Sequence, residues 1–167
     1  MIAILAAVVT TGYAQNQFKV GVVNSQEVLE KSIEGKRIMA QIEERNKKIQ
    51  ADLARLDETI RGLQTRLNTQ QLTLTNEALA NLTSDIDRRQ TERKRLAEDG
   101  TREIQELTGR LFQRVQTELM PIIEQIGKDK GLEIIFDLYR SGAIYYSPVI
   151  ELTNEVIQKY DASKSGQ

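Results

Sequence analysis

The chain has 167 residues, of which 28% are charged and 40% hydrophobic, and its formal net charge is -1. That length allows one domain or two, the modest apolar share points to a partly elongated chain, and near-neutrality gives no overall drive toward nucleic acid or anionic membrane. Histidine and cysteine are both absent, which removes the usual zinc, haem and iron–sulfur ligands and any Cys–His or Ser–His chemistry.

Residues 1–14, MIAILAAVVTTGYA, combine a short apolar run with small residues before Ala14. They read as a secretory leader cut after Ala14, although no Lys or Arg precedes the run; a buried strand is the competing reading. The run is too short to span a bilayer as a helix. Next, FKVGVVN (Phe18 to Asn24) reads as a buried strand, and Asn24 with Glu27 three residues on reads as a helix cap with its reciprocal acid.

From there an apolar stripe at helical spacing runs through Ile38, Ile42, Ile49, Leu53, Leu56, Ile60, Leu63 and Leu67, and resumes at Leu79, Leu82, Ile86, Leu96, Ile104, Leu107 and Leu111. Pairs such as Leu67 with Leu79, Ile60 with Ile86, Ile49 with Leu96 and Ile38 with Leu107 have position numbers totalling 145 or 146. A constant total is the signature of an antiparallel pair, so the two stripes predict a helical hairpin that turns near residue 73. The turn lies inside LNTQQLTLTN, ten residues without a charge, where Thr75 or Asn76 would cap the returning helix. On this register Leu53 and Leu56 face Arg93 and Arg89, and Asn46 faces Gly100, which predicts loose packing in mid-arm. The basic run RRQTERKR, Arg88 to Arg95, reads either as an anion patch or as a solvated helix face. The acids Asp85, Asp87, Glu98 and Asp99 likewise read as a solvated face rather than a catalytic pair, and SIEGKR lacks the first glycine of a phosphate loop.

Aromatic residues are absent between Phe18 and Phe112 and gather in the last third. This suits a globular head there and argues against an arm that stacks single-stranded nucleic acid. Pro121 predicts a kink and Gly131 a helix end; LEIIFD and AIYYS then read as strands around LYRSG, before a short terminal helix through about Tyr160. The expected fold class is α+β: a β-rich head built from 18–37 and 105–162, a hairpin arm over 38–104 with its tip near 67–76, and a disordered tail over 163–167. A sheet this small leaves apolar edges, which predicts a homo-oligomer sharing a core of Val20, Val22, Ile134, Phe136, Ile144 and Tyr146.

Taken together, KVGVVNSQEVLEKSIEGKR, the charged hairpin, and LMPIIEQIGKDKGLEIIFDLYRSGAIYYSPVIELTNEVIQKY resemble the Skp/OmpH family of periplasmic chaperones. The resemblance covers nearly all of the chain after the leader. It implies a homotrimer with a β-barrel body, three arms enclosing a cavity, and periplasmic holding of unfolded outer-membrane proteins without ATP or any other cofactor. The chain departs in charge: the best-known members are strongly basic, whereas its isoelectric point is near 5.7. Candidate client-binding residues are Leu72 and Leu74 at the uncharged tip, with Arg88, Lys94 and Arg95 on the basic run. The two leucines could equally fold back to close the hairpin. No enzymatic activity and no stable membrane insertion are expected. An exported coiled-coil spacer or adaptor for a folded envelope partner is the alternative function.

Overall fold

The computed structural model describes residues 18–165. The expected leader at 1–14 and the last two residues of the expected tail lie outside them. In chain order the elements are β1 (Val20–Val23), α1 (Ser25–Lys31), α2 (Ile33–Gln70), α3 (Asn76–Lys130), β2 (Ile134–Asp137), α4 (Leu138–Ser141), a 3-10 turn (Pro148–Ile150) and α5 (Thr153–Ser165).

Local chemistry explains most of these boundaries. The Asn24 side chain accepts a hydrogen bond from the Glu27 amide (3.2 Å) and starts α1, while the Glu27 carboxylate pairs with Lys31 instead of closing a reciprocal cap. Sequence periodicity runs on from α1 into α2, yet the helix breaks at Ser32. The buried Ser32 hydroxyl accepts from the Gly35 amide (3.1 Å) and caps α2 afresh. Gly35 is required at this corner, because a Cβ there would overlap the Leu29 carbonyl oxygen and stand 2.6 Å from its carbon. The glycine in SIEGKR thus serves a tight backbone crossing.

At the far end α2 stops at Gln70 and Thr75 caps α3 by accepting from the Ala78 amide (3.2 Å), so the turn centres on residue 73 as the mirrored stripes predict. At about 1.5 Å per residue α2 is about 57 Å long. Ile38, Ile49, Leu53 and Ile60 on α2 and Leu82, Ile86, Gly100 and Leu111 on α3 are buried along the seam. In mid-arm the register differs from the predicted one. Ile49 packs into the notch of Gly100, where a Cβ would lie 2.6 Å from Ile49 Cγ2. Facing numbers there total 149, about one turn from the predicted pairing with Leu96; the slide lets a large side chain fill the space a glycine leaves. Arg93 does not oppose Leu53 as an unpaired charge but reaches Asp57 with two hydrogen bonds (2.5 and 3.1 Å).

α3 passes through Pro121 without a break, and Gly131, in the left-handed conformation at φ 59°, ends it. The amides of Gly131 and Leu132 bond to the carbonyls of Lys128 (3.1 Å) and Gly127 (2.8 Å), satisfying the last turn. The chain then forms β2, which pairs in parallel with β1 in the register Val20–Ile134 to Val23–Asp137. A parallel pair needs a long crossover between its strands, and the whole hairpin arm supplies it. Glu151 bridges the other edge of β1 at Val22.

The head is less β-rich than expected. Residues 143–147, AIYYS, form no strand: LYRSG winds into α4 rather than a hairpin turn, and Ile144 and Tyr145 project fully into solvent. The head core is mainly helical, made by Val28 from α1, Ile38 from α2, Leu111, Val115, Leu119 and Ile126 from α3, and Val156 and Tyr160 from α5, with Val23 and Leu152 at its strand side. The terminal helix also runs past Tyr160 to Ser165, because Lys164 is held by Glu118 (2.9 Å), so 163–165 are helix and not tail.

Three of the glycines inside the long helices, Gly62, Gly100 and Gly109, differ in what surrounds them. Gly62 and Gly109 have open space where a side chain would stand, whereas Gly100 has Ile49. Gly62→Ala and Gly109→Ala are each expected to stabilise the protein by about 0.5–1 kcal/mol through helix propensity. Gly100→Ala is expected to lose that gain to the clash. Urea midpoints of the three variants check the ordering, and equal shifts would contradict the packing described for Gly100.

Candidate functional site

Two exposed surfaces and the joint between them make up the site. The first surface is the arm, whose tip carries Leu72, 94% exposed and flanked only by uncharged residues. Leu74, two residues on, is half-buried, and its amide bonds to the Gln70 carbonyl (3.0 Å). The two tip leucines therefore differ in exposure: Leu72 projects into solvent, and Leu74 is partly covered. Arg88, Lys94 and Arg95 are exposed on α3; Arg88 pairs with Asp85 (2.8 Å) and Lys94 with Glu98 (4.0 Å). In mid-arm an open cleft of about 280 Å³ lies between the helices, lined by Ile49, Leu53, Ala97 and Ile104 together with Asn46, Gln50 and Gln105.

The second surface is on the head. Of the six residues expected to form a shared core, Val22 is buried inside the single chain, Val20 and Tyr146 are half-buried, and Ile134, Phe136 and Ile144 are exposed. Tyr139, Tyr145 and Val149 are exposed on the same stretch of chain. Large apolar side chains are thus exposed at several positions between residues 134 and 149.

The joint is a polar cluster that sequence reasoning missed. Glu34, only 5% exposed at the start of α2, accepts two hydrogen bonds from Arg37 (2.7 and 2.8 Å) and one from Arg114 on α3. On the next turn of α3, Glu118 accepts from the buried Tyr160 hydroxyl (2.5 Å) and pairs with Lys164 (2.9 Å), both on α5. Asp161 of α5 accepts from the Ile33 amide (2.9 Å) at the α1–α2 corner. Apart from the local Glu34–Arg37 pair, these partners lie 42 to 128 residues apart along the chain, so no local pattern announces the cluster.

The Arg37 hydrogen bond, aided by the charges of Arg37, Arg114 and Lys164, outweighs burial and holds the Glu34 carboxyl below its ordinary value. Burial pushes Glu118 up, but hydrogen bonds from Tyr160 and Lys164 and the charges of Lys164 and Arg114 bring it below the ordinary value. Groups depressed on folding give stability that is present above their unfolded value, about pH 4, and lost as pH falls through the lower folded values. The urea midpoint is expected to stay flat near neutrality and to fall below about pH 4. Glu118→Gln is expected to shrink that fall; an identical fall in the variant would place the acid-sensitive groups elsewhere.

Comparison with known proteins places this architecture. A family model described as outer membrane protein (OmpH-like) matches residues 19–160. The chain belongs to the OmpH-like family. Its fold is shared with a crystal structure from Caulobacter crescentus CB15, described as a candidate outer membrane chaperone (OmpH-like), at a TM-score of 0.78 and 19% identity. The match covers 87% of this chain and 85% of that one. No curated protein sequence matches significantly. In this OmpH-like chain, and among the described residues, no helix is long and apolar enough to cross a membrane.

Proposed function

We propose that this OmpH-like protein is an ATP-independent periplasmic holdase that keeps unfolded outer-membrane proteins from aggregating, acting as a homotrimer through its head and holding clients with its arms. The observation that carries the reading is the pairing, in a member of this family, of a long hairpin arm bearing a projecting apolar tip with a head whose apolar residues remain uncovered in one chain. The exposed Ile134, Phe136 and Ile144 supply the self-association surface. An arm that offers single apolar groups such as Leu72 grips a client weakly at several points, which retains it while leaving it free to depart. No step of this cycle requires a nucleotide or a catalytic residue.

Leu72→Ser tests the client contact without touching the fold, since the side chain is solvent-exposed. Complexes with a urea-unfolded outer-membrane β-barrel protein, followed by size exclusion and by exchange of labelled client, are expected to dissociate about threefold to tenfold faster, about half of what a fully buried leucine side chain contributes. Unchanged lifetimes would remove the tip from the binding surface.

A further inference from the structure

We infer that the arm holds its clients without selecting for their charge, recognising uncharged and apolar segments of an unfolded chain. This inference rests on the holdase reading and specifies the class of segment that the arm takes. Between Lys36 and Glu103 the arm carries 14 basic and 12 acidic residues. Nine of those 14 cations already have an acidic partner within 4.0 Å. Two of these pairs, Arg45–Glu103 and Asp57–Arg93, join the two helices; the other seven lie along one helix at three- or four-residue spacing. Five cations outside these pairs are matched by four acids, Glu44, Glu58, Glu77 and Asp87, spread along the same helices. RRQTERKR, the densest positive run in the sequence, is therefore not a positive surface: Arg88, Arg89, Arg93 and Lys94 are each paired, which leaves Arg95.

Alternating charges a few ångströms apart cancel within about 8 Å, the screening length at physiological salt. A client approaching the arm meets no net field of either sign, and exposed ion pairs are poor competitors for its own charges. What the arm presents without charge is the stretch Leu67 to Asn76 with Leu72 projecting from it, and a mid-arm cleft with no charged residue in its lining, where Ala97 and Ile104 are partly exposed beside Asn46, Gln50, Thr101 and Gln105. These neutral surfaces suit segments that alternate apolar and uncharged polar residues.

Fluorescence titration of the protein with two urea-unfolded outer-membrane β-barrel proteins of opposite net charge, each at 20 and 300 mM NaCl, tests this. Apparent Kd is expected to change less than about threefold with salt, and to differ by no more than that between the clients. A weakening of about tenfold at high salt, or a preference of that size for one sign of client, would overturn it. A variant with Glu44, Glu58 and Asp87 all changed to Lys supplies the calibration. It is expected to gain about tenfold salt sensitivity and a preference for the acidic client; a variant that binds as the parent does would show that clients do not lie on the arm. Failure of either client to bind at either salt would count against the holdase reading instead.

Discussion

Replacing Gly35 by alanine is expected to lower the unfolding free energy by about 3 kcal/mol, the upper part of the range for forcing extra volume into packed structure. Gly35 sits in the first turn of α2, just after the break at Ser32, and the space its missing side chain leaves is occupied by Leu29 backbone. A rotamer change cannot relieve that clash, because the obstructing atoms are a carbonyl group and a Cα. The corner must open, which pulls the Ser32 cap away from the Gly35 amide and the Ile33 amide away from Asp161. Urea unfolding followed by circular dichroism measures the loss. A midpoint equal to that of the unaltered protein would show that α1 and α2 do not meet at this distance.

Tyr160→Ala is expected to be as damaging, at about 3–5 kcal/mol, the range for truncating a buried aromatic ring. Tyr160 is the largest side chain with no exposed surface. Its ring belongs to the head core with Val156 and Leu119, and its hydroxyl ends in the Glu118 carboxylate. The two contributions separate experimentally. Tyr160→Phe keeps the ring and removes only the hydrogen bond, and it is expected to cost about 1–2 kcal/mol, because Lys164 still partners Glu118. Equal losses in the two variants would mean that the polar cluster, and not the ring, ties α5 to the arm root.

Parts of this structure were legible in the sequence because they depend on neighbours a few residues apart. The stripes from Ile38 to Leu67 and from Leu79 to Leu111 predict two helices and their mirror, and the turn appears between Gln70 and Asn76. Asn24, Thr75 and Gly131 act as the caps their residue types predict. The break at Ser32 was hidden because Ile33 and Ile38 continue an acceptable apolar rhythm across it, and the reason for Gly35 is a backbone crossing that only three dimensions display. The mid-arm register was misread for a related reason: pairing large with large overlooks that Gly100 leaves room for Ile49.

The head was harder to read. LEIIFD and AIYYS look equally strand-like, yet only Ile134–Asp137 finds a partner, β1, across a crossover the length of the arm. The cluster of Glu34, Arg114, Glu118, Tyr160 and Lys164 is assembled from three helices, and charged residues on a charged helix carry no mark that separates a buried pair from a solvated one. Of the predicted client contacts, the structure separates Leu72, which projects, from Leu74, which is half-buried, and gives Arg88 and Lys94 intrachain partners.

Light scattering, recorded as a urea-unfolded outer-membrane β-barrel protein is diluted into nucleotide-free buffer with and without this protein, tests the holdase account most directly. Suppression of aggregation near one oligomer per client is the predicted result. Aggregation that proceeds unchanged at several-fold excess, with the protein folded and oligomeric in the same buffer, would contradict it and would favour a spacer or adaptor that binds one folded envelope partner.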